Sequence, residues 1–263
     1  MRKERGTQVD LKLYRLDLHI HTVLSPCTEI DEMTPRRIVR IARDHGLDMI
    51  AICDHNSARN VAAVVRAASG TGLSVIPGIE VTTSEEVHIL GLFPSVEAAT
   101  AMQDEVYSRL FGQNDEKVFG YQVVVDEHDM VEDLDERLLI GATTIPTDGV
   151  VAQIHELGGL AIASHVDRDG FGIFSQLGFI PPNLKLDALE VSPRSTFEAV
   201  RERRVQAKQY LLISSSDAHT PADIGAACTL ARMAEPTFEE LHKALSGQDG
   251  RAIIGVETTG SER

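Results

Sequence analysis

Short apolar runs alternate with helical patterns along most of this chain. Runs of four to seven apolar or alternating positions are typical of strands, and they cover residues 14–20, 48–53, 73–76, 87–92, 160–164, 186–191 and 210–214. Apolar residues three and four apart predict helices over residues 34–45, 58–68, 96–110, 148–157 and from residue 237 onwards. Thr34 and Pro35 suit the start of the first helix, and Thr237 with Glu240 has the spacing of a capping box.

This alternation predicts βα units, a mainly parallel sheet and an α/β fold. About seven strands with intervening helices favour a closed or nearly closed barrel, with the functional residues where strands end. The 263 residues suit one large domain of this kind. Residues 112–146 break the rhythm, with nine acidic residues against Lys117 and Arg137. Because this segment is too short for its own core, we expect an acidic insertion over one face of the barrel.

Potential metal ligands recur where the predicted strands end. Residues two apart share a face of a strand, so Asp17, His19 and His21 are predicted on one face and Leu18 and Ile20 on the other. A histidine pair at this spacing is as often structural as metal-binding, and an aspartate beside it can anchor a ring N–H. Other strand ends carry Asp54-His55-Asn56, Gly78-Ile79-Glu80, His88, Ser164-His165, Glu190 and Ser216-Asp217-Ala218-His219. Their joint occurrence favours a metal centre.

Charge and composition narrow the possible functions. With 25 Lys and Arg against 40 Asp and Glu, the formal charge is -15, which disfavours long nucleic acids as partners. No apolar run approaches the roughly 20 residues of a membrane span. The three cysteines and the charged start at residues 1–6 indicate a cytoplasmic protein with reduced thiols.

These motifs together resemble a known family. Asp17-x-His19-x-His21-Thr22, Asp54-His55-Asn56, Gly78-Ile79-Glu80-Val81, His88, Ser164-His165 and Ser216-Asp217-x-His219 are similar, in order, to the motifs of the PHP (polymerase and histidinol phosphatase) phosphoesterases. The resemblance implies a distorted (β/α)7 TIM-like barrel with a metal cluster at the C-terminal ends of the strands. It implies two or three divalent ions, and the ligand types suit Mn, Fe or Zn.

Carried across, the resemblance gives each ligand a place. It puts His19, His21, Glu80 and Asp217 around the first ion; Glu80, His88 and His165 around the second; and His55 and His219 around the third. Relatives often complete the third site with Asp or His shortly after the first motif, where this chain has Ser25-Pro26-Cys27-Thr28-Glu29. Glu29, Asp31 or Cys27 are the alternatives, and a weak or absent third ion is another.

The expected activity is hydrolysis of a small phosphate ester, a monoester or small diester including nucleotides, by a metal-bridging hydroxide. Asp17, Asp54 and His219 are candidates for orientation or proton transfer. Arg59, Arg168 and Arg194 follow strand ends and are candidates for binding phosphate. The loop 169–174 offers an aromatic wall for a flat group, or a packed lid.

Other interpretations remain open. The ligand types also suit histidinol-phosphatase-like activity, an amidohydrolase, or a non-catalytic metal-binding regulatory module. No lysine ends a predicted strand, which weakens the amidohydrolase interpretation.

Overall fold

The computed structural model describes residues 10–28 and 31–258. The charged start at residues 1–6 and Glu29 therefore lie outside the described residues. The strands are β1 (Lys12–Ile20), β2 (Met49–Ile52), β3 (Ser74–Thr82), β4 (His88–Leu92), β5 (Val123–Val125), β6 (Val131–Leu134), β7 (Leu160–Ala163), β8 (Ala188–Val191), β9 (Leu212–Ser214), β10 (Ala227–Met233) and β11 (Ala252–Thr258). The helices are α1 (Pro35–Asp44), α2 (Val61–Ala67), α3 (Val96–Arg109), α4 (Glu116–Phe119), α5 (Thr147–Glu156), α6 (Ile173–Gln176), α7 (Phe197–Arg203) and α8 (Phe238–Ser246).

Nine strands form one barrel-shaped sheet in the order β11-β10-β1-β2-β3-β4-β7-β8-β9. The barrel is nearly closed, because Thr229 on β10 bonds both the N–H and the carbonyl of Ser214 on β9, at 3.0 and 2.8 Å. All seven predicted strands belong to this sheet, so the expected α/β barrel class is confirmed.

The prediction of a mainly parallel sheet was wrong. Strand β4 is antiparallel to both β3 and β7, and β10 is antiparallel to both β1 and β11. The link from β3 to β4 is too short for a crossover helix, so the chain turns back on itself. Strands β10 and β11 were not predicted.

The apolar residues form two layers on opposite faces of the sheet. On β2, Ile50 and Ile52 join the layer that packs under α1, α2, α3 and α5, whereas Met49 and Ala51 join a second layer that α8 covers through Leu241. A strand buried on both faces reads as a continuous apolar run, which is why β2 was recognisable from sequence.

Strand β1 contains an irregularity beside the predicted metal ligands. Its register against β2 shifts between Asp17 and Ile20. As a consequence Leu18 packs in the layer covered by α8, while Ile20 packs in the other layer. The expectation that Leu18 and Ile20 share a layer was therefore wrong, and a bulge of this kind re-aims side chains next to a site.

The ends of the helices follow the predicted chemistry with one change. Thr237 caps α8 by accepting a hydrogen bond from the N–H of Glu240 at 3.4 Å. The Glu240 carboxylate does not complete a capping box with Thr237; it accepts hydrogen bonds from Arg251 and from the N–H of Ala234 instead.

Residues 112–146 contain α4 and the β5–β6 hairpin, and they pack over the loop that follows β1. Leu139 and Val124 form a small apolar cluster with Leu24 and Leu110. The N–H of Val123 donates to the carbonyl of Val23 at 3.0 Å. Among the described residues, no helix is long and apolar enough to cross a membrane.

Candidate metal centre

The antiparallel course of β4 brings His88 to the site. In the ladder between β3 and β4, His88 pairs with Thr82, so the start of β4 lies at the same rim as the end of β3. Glu80 lies two residues before Thr82. The histidines that follow β1, β2 and β7 reach this rim from the ends of their strands. The barrel thus gathers on one rim residues that are far apart in sequence.

Glu80 is buried at the centre of the site, and five imidazoles surround its carboxylate. Its Oε1 is 3.0 Å from Nδ1 of His88, 3.4 Å from Nε2 of His165 and 3.5 Å from Nε2 of His19. Its Oε2 is 3.0 Å from Nδ1 of His55 and 3.5 Å from Nε2 of His21. A carboxylate in this position can bridge two ions.

Among the described residues, the ligand atoms fall into three overlapping groups, and within each group they all lie within 4.8 Å of one another. The groups are His19, His21, Glu80 and Asp217; His55, Glu80 and His88; and His21, His55 and His219. The first is the predicted set. In the second group His55 stands where His165 was expected, and His165 remains beside Glu80. All eight predicted ligands therefore meet at one place.

Several polar atoms of this cluster lack a hydrogen-bond partner in the part of the chain that the structure describes. Both Glu80 oxygens and Nδ1 of His55 and of His88 are buried without a hydrogen bond among the described residues. This holds although each of those ring nitrogens is 3.0 Å from a Glu80 oxygen. Buried polar groups normally find partners, and lone pairs that converge without bonding are what a cation would satisfy. The residues present therefore fit divalent metal ions.

The electrostatics of the cluster are those of a strongly coupled site. Burial alone would lower the pKa of His19, but Glu190, Asp217 and Glu80 outweigh it and raise that pKa well above the ordinary value. Burial lowers the pKa of His21 well below its ordinary value, and the neighbouring His219 and His55 add to this. A neutral imidazole such as that of His21 is the form that binds a metal ion.

Two groups outside the cluster orient its imidazoles. Glu190 accepts a hydrogen bond from Nδ1 of His19 at 3.0 Å, and from the N–H of His165 at 3.1 Å. Ser25 donates to Asp54 at 2.7 Å, so its oxygen accepts from Nδ1 of His21 at 3.0 Å. The two contacts with ring nitrogens direct Nε2 of His19 and of His21 towards the ligand group. Sequence reasoning gave these two residues no role, although Glu190 stood out as an acid at a strand end.

Asp17 and Asp54 lie behind the ligands rather than among them. Asp17 accepts hydrogen bonds from the N–H groups of Ser216 and Gly225, at 2.9 and 2.8 Å. Asp54 accepts from the N–H and hydroxyl of Thr22, both at 2.7 Å, and from Ser25. Burial raises the pKa of Asp17 to about 6, against the effect of its hydrogen bonds. Both carboxylates hold loops, and Asp17 does not anchor a histidine ring as the sequence had suggested.

The sequence also matches a known protein family. The sequence profile of the PHP domain matches residues 17–176. The chain belongs to the PHP domain family. The matched stretch contains every predicted ligand except Asp217 and His219.

Curated relatives match only a part of the chain. An uncharacterized protein of Methanocaldococcus jannaschii, MJ1587, is 33% identical over 86 residues, which are 30% of this chain and 50% of that protein. The 5'-3' exoribonuclease of Haemophilus influenzae is 31% identical over 81 residues, 30% of this chain and 28% of that protein. The chain thus spans about half or less of the length of the relatives it matches.

Solved structures share the fold over most of the chain. Endonuclease Q of Pyrococcus furiosus, a lesion-specific endonuclease, superposes with a TM-score of 0.73 at 19% identity, covering 94% of this chain and 59% of that one. A protein of Bifidobacterium adolescentis described as a metal-dependent phosphoesterase gives a TM-score of 0.55 at 22% identity, covering 78% of this chain and 88% of that one. At these identities the likeness shows the fold alone.

The PHP site opens into a small cavity of about 300 Å³. Arg168 lines it, and its Nη1 lies 2.6 Å from Oδ2 of Asp217. Arg194 lines an adjoining cavity of about 350 Å³ that shares Arg168, Asp217 and His219 with the first. Arg59 lines neither cavity; its guanidinium pairs with Asp133 and Asp135 of the 112–146 segment, at 2.7 and 3.3 Å. Two of the three predicted arginines are therefore brought to the site.

Cys27 lies in contact with the third ligand group. The residue is exposed overall, but its thiol interacts with the imidazoles of His55 and His219, which outweigh local desolvation and lower the pKa of the thiol to about 6. Asp31, another alternative from the sequence, lines a separate surface cavity with Arg36, Arg37 and Arg40. Glu29 lies outside the described residues. Among the alternatives that the structure describes, Cys27 is the one at the site.

Proposed function

We propose that this PHP protein hydrolyses small phosphate esters, monoesters or small diesters, including nucleotides. The observation that carries the proposal is the buried Glu80 carboxylate, which lies within 3.5 Å of five imidazoles in the floor of a substrate-sized cavity. Two or three Mn, Fe or Zn ions held by the eight ligands would lower the pKa of water and neutralise charge on the phosphoryl group.

The chain's own residues have distinct tasks in this proposal. Glu190 and Ser25 hold the rings of His19 and His21 in the orientation that ligation needs. Arg168 binds a phosphoryl oxygen, since its Nε is buried without a hydrogen bond among the described residues.

When the third ion is absent, His219 is the candidate for proton transfer to the leaving group, since a ring nitrogen that binds an ion cannot also carry the proton. Its Nδ1 donates to the carbonyl of Asp217 at 2.8 Å, which fixes the orientation of the ring. Its side chain is a quarter exposed, and it lines both cavities, so it can reach a leaving group. We assign Asp17 and Asp54 the task of orienting the loops that carry Asp217 and His21.

The size and charge of the site support a small substrate. A cavity of about 300 Å³ is at the lower end of the range for ligand pockets, and holds one nucleotide rather than a duplex. The formal charge of -15 opposes binding of a long polyanion. The structure of endonuclease Q with a 27-mer duplex is known, but only 59% of that protein matches this chain. The likeness therefore does not extend a duplex substrate to this chain.

The eight ligands that the family resemblance assigns to this chain lie together at one site, which argues against a purely structural metal module. In a PHP domain that has lost catalysis, loss of ligands is expected. No described feature selects histidinol, and the amidohydrolase interpretation has no lysine at a predicted strand end to support it.

The test pairs elemental analysis with phosphate-release assays on nucleoside monophosphates, p-nitrophenyl phosphate and bis(p-nitrophenyl) phosphate. We expect two to three equivalents of metal and turnover that is lost in Glu80→Gln. The matched control is His128→Ala, an exposed histidine of the insertion, which leaves metal content and turnover unchanged. Protein that binds its metal but hydrolyses no phosphoester on the panel would refute the proposal.

A further inference from the structure

Two apolar side chains stand in the mouth of an otherwise charged cavity. Apart from Gly170, the residues that line the metal cavity are titratable except for Ile140 and Phe171. Ile140 comes from the 112–146 segment, and Phe171 comes from the loop after β7. Neither is needed to hold a metal ion. Two apolar side chains in this position suit a substrate that has an apolar face next to its phosphate group.

Ile140 is held in place by the residue that follows a metal ligand. Nδ2 of Asn56 donates to the carbonyls of Leu139 and Gly141, both at 2.7 Å, and so grips the chain on each side of Ile140. Oδ1 of the same amide accepts from the N–H of Thr82 at 3.0 Å. Asn56 directly follows His55, and its φ of +52° turns the chain sharply at this point. Through these hydrogen bonds, Asn56 links the 112–146 segment to the end of β3 and keeps Ile140 at the cavity.

Phe171 is held just as firmly. Its ring stacks on His88 with centroids 4.3 Å apart and planes at 21°, and its carbonyl accepts from the N–H of His88 at 2.9 Å. The backbone has a φ of +59°, a strained value for an aromatic residue. A side chain at Gly172 would meet the carbonyl of Arg168 at 2.8 Å, so the turn needs this glycine. Although these contacts fix its position, the Phe171 residue remains 39% exposed.

We propose that Ile140 and Phe171 form a subsite for the base of a nucleotide whose phosphate lies at the metal ligands. This rests on the proposed function and names its specificity. A nucleobase presents two apolar faces and a polar edge, which suits a cavity with one aromatic wall, one aliphatic wall and charged surroundings. A long apolar group would not suit, because its end would meet charged side chains. The 112–146 segment then serves to select the substrate, and Asn56 couples it to the metal site.

The experiment compares two esters that differ only in the base, adenosine 5'-monophosphate and ribose 5-phosphate, with the metal-loaded protein. Stacking of a base on an aromatic ring changes the ratio of the two kcat/KM values by roughly 5- to 150-fold. We expect the wild type to favour the nucleotide, Phe171→Ala to reduce the ratio within this range, and Ile140→Ala to reduce it by a smaller factor. Using the ratio removes any loss that the variants cause for both esters alike.

The controls are two exposed apolar residues outside the cavity, Phe179 and Ile254. Their alanine variants leave the ratio unchanged. The base subsite would be overturned if the wild type had the same kcat/KM for ribose 5-phosphate and for the nucleotide, or if the variants kept the wild-type ratio. Either result would leave the proposed phosphoesterase activity standing. Failure to hydrolyse either ester, or any other phosphoester, would remove both.

Discussion

Oε2 of Glu190 lies 3.0 Å from Nδ1 of His19, on the side of the ring away from Glu80. Both residues are buried, and the carboxylate fixes the ring so that Nε2 points to Asp217. Glu190 thus acts on the metal centre without being in any of the three ligand groups.

We therefore expect Glu190→Gln to weaken metal binding by roughly 10- to 100-fold, because the amide keeps the shape but loses the charge that makes the imidazole a better donor. Chelator competition followed by elemental analysis measures this. Glu202→Gln, an exposed acid on α7, is the control and binds metal like the wild type. Equal affinities for the two variants would show that Glu190 is only a packing residue.

The contact between Ser25 and His21 predicts a second, separable effect. Removing the hydroxyl in Ser25→Ala takes away the acceptor of the Nδ1 proton and breaks the link to Asp54. We expect His21 to lose its fixed tautomer and metal affinity to fall by roughly 10-fold or more. Nitrogen NMR of the imidazole in metal-free protein reports the tautomer directly. Ser69→Ala, at an exposed position, is the control, and an unchanged His21 spectrum in Ser25→Ala would contradict the relay.

Much of this site could be predicted because ligand types at successive strand ends are visible in the sequence. Glu80, His88 and Asp217 were recognisable in that way, and the barrel brings them together. The bulge in β1 was not visible, since it depends on pairing with β2, and so the role of Asp17 was misread. Arg59 was misplaced for a similar reason: its partners Asp133 and Asp135 lie about 75 residues away in sequence. Long-range contacts of single side chains leave no local pattern.

Strands β10 and β11 escaped prediction for another physical reason. On β10 the buried pattern is interrupted by Arg232, and on β11, at the edge of the sheet, every residue is partly buried or exposed, without strict alternation. Short apolar signals of this kind are ambiguous between strand and loop until the antiparallel partner is known.

Cys27 predicts how the third metal site is completed. If its thiolate is a ligand together with His55 and His219, the cobalt-substituted protein should show a sulfur-to-metal charge-transfer band in the near ultraviolet. We expect Cys27→Ser to lack this band and to lose the third equivalent of metal, whereas Cys27→Asp should retain an ion and shift its preference from zinc towards manganese. Cys228→Ser, at a buried cysteine of β10, is the control. Persistence of the band in Cys27→Ser would exclude thiolate ligation.

Glu240 predicts a pH dependence of stability far from the metal centre. Hydrogen bonds from Arg251 lower the pKa of Glu240 from 4.5 to about 2, and burial only partly opposes them. Because the pKa is lower in the folded protein, the stabilisation is complete above the unfolded value and is lost as the pH falls from about 4.5 towards 2.

The variant Glu240→Gln should therefore lower the free energy of unfolding by about 1–2 kcal/mol at pH 7, since the hydrogen bonds lose their charge. Urea unfolding between pH 7 and pH 3 measures the difference from the wild type, which should stay constant down to about pH 5 and shrink below about pH 4.5. Glu239→Gln is the control, because the neighbouring Glu239 is exposed on the same helix turn. A difference that does not shrink on acidification would mean that the introduced amide disturbs packing, and that the charge of Glu240 is not what joins α8 to β11.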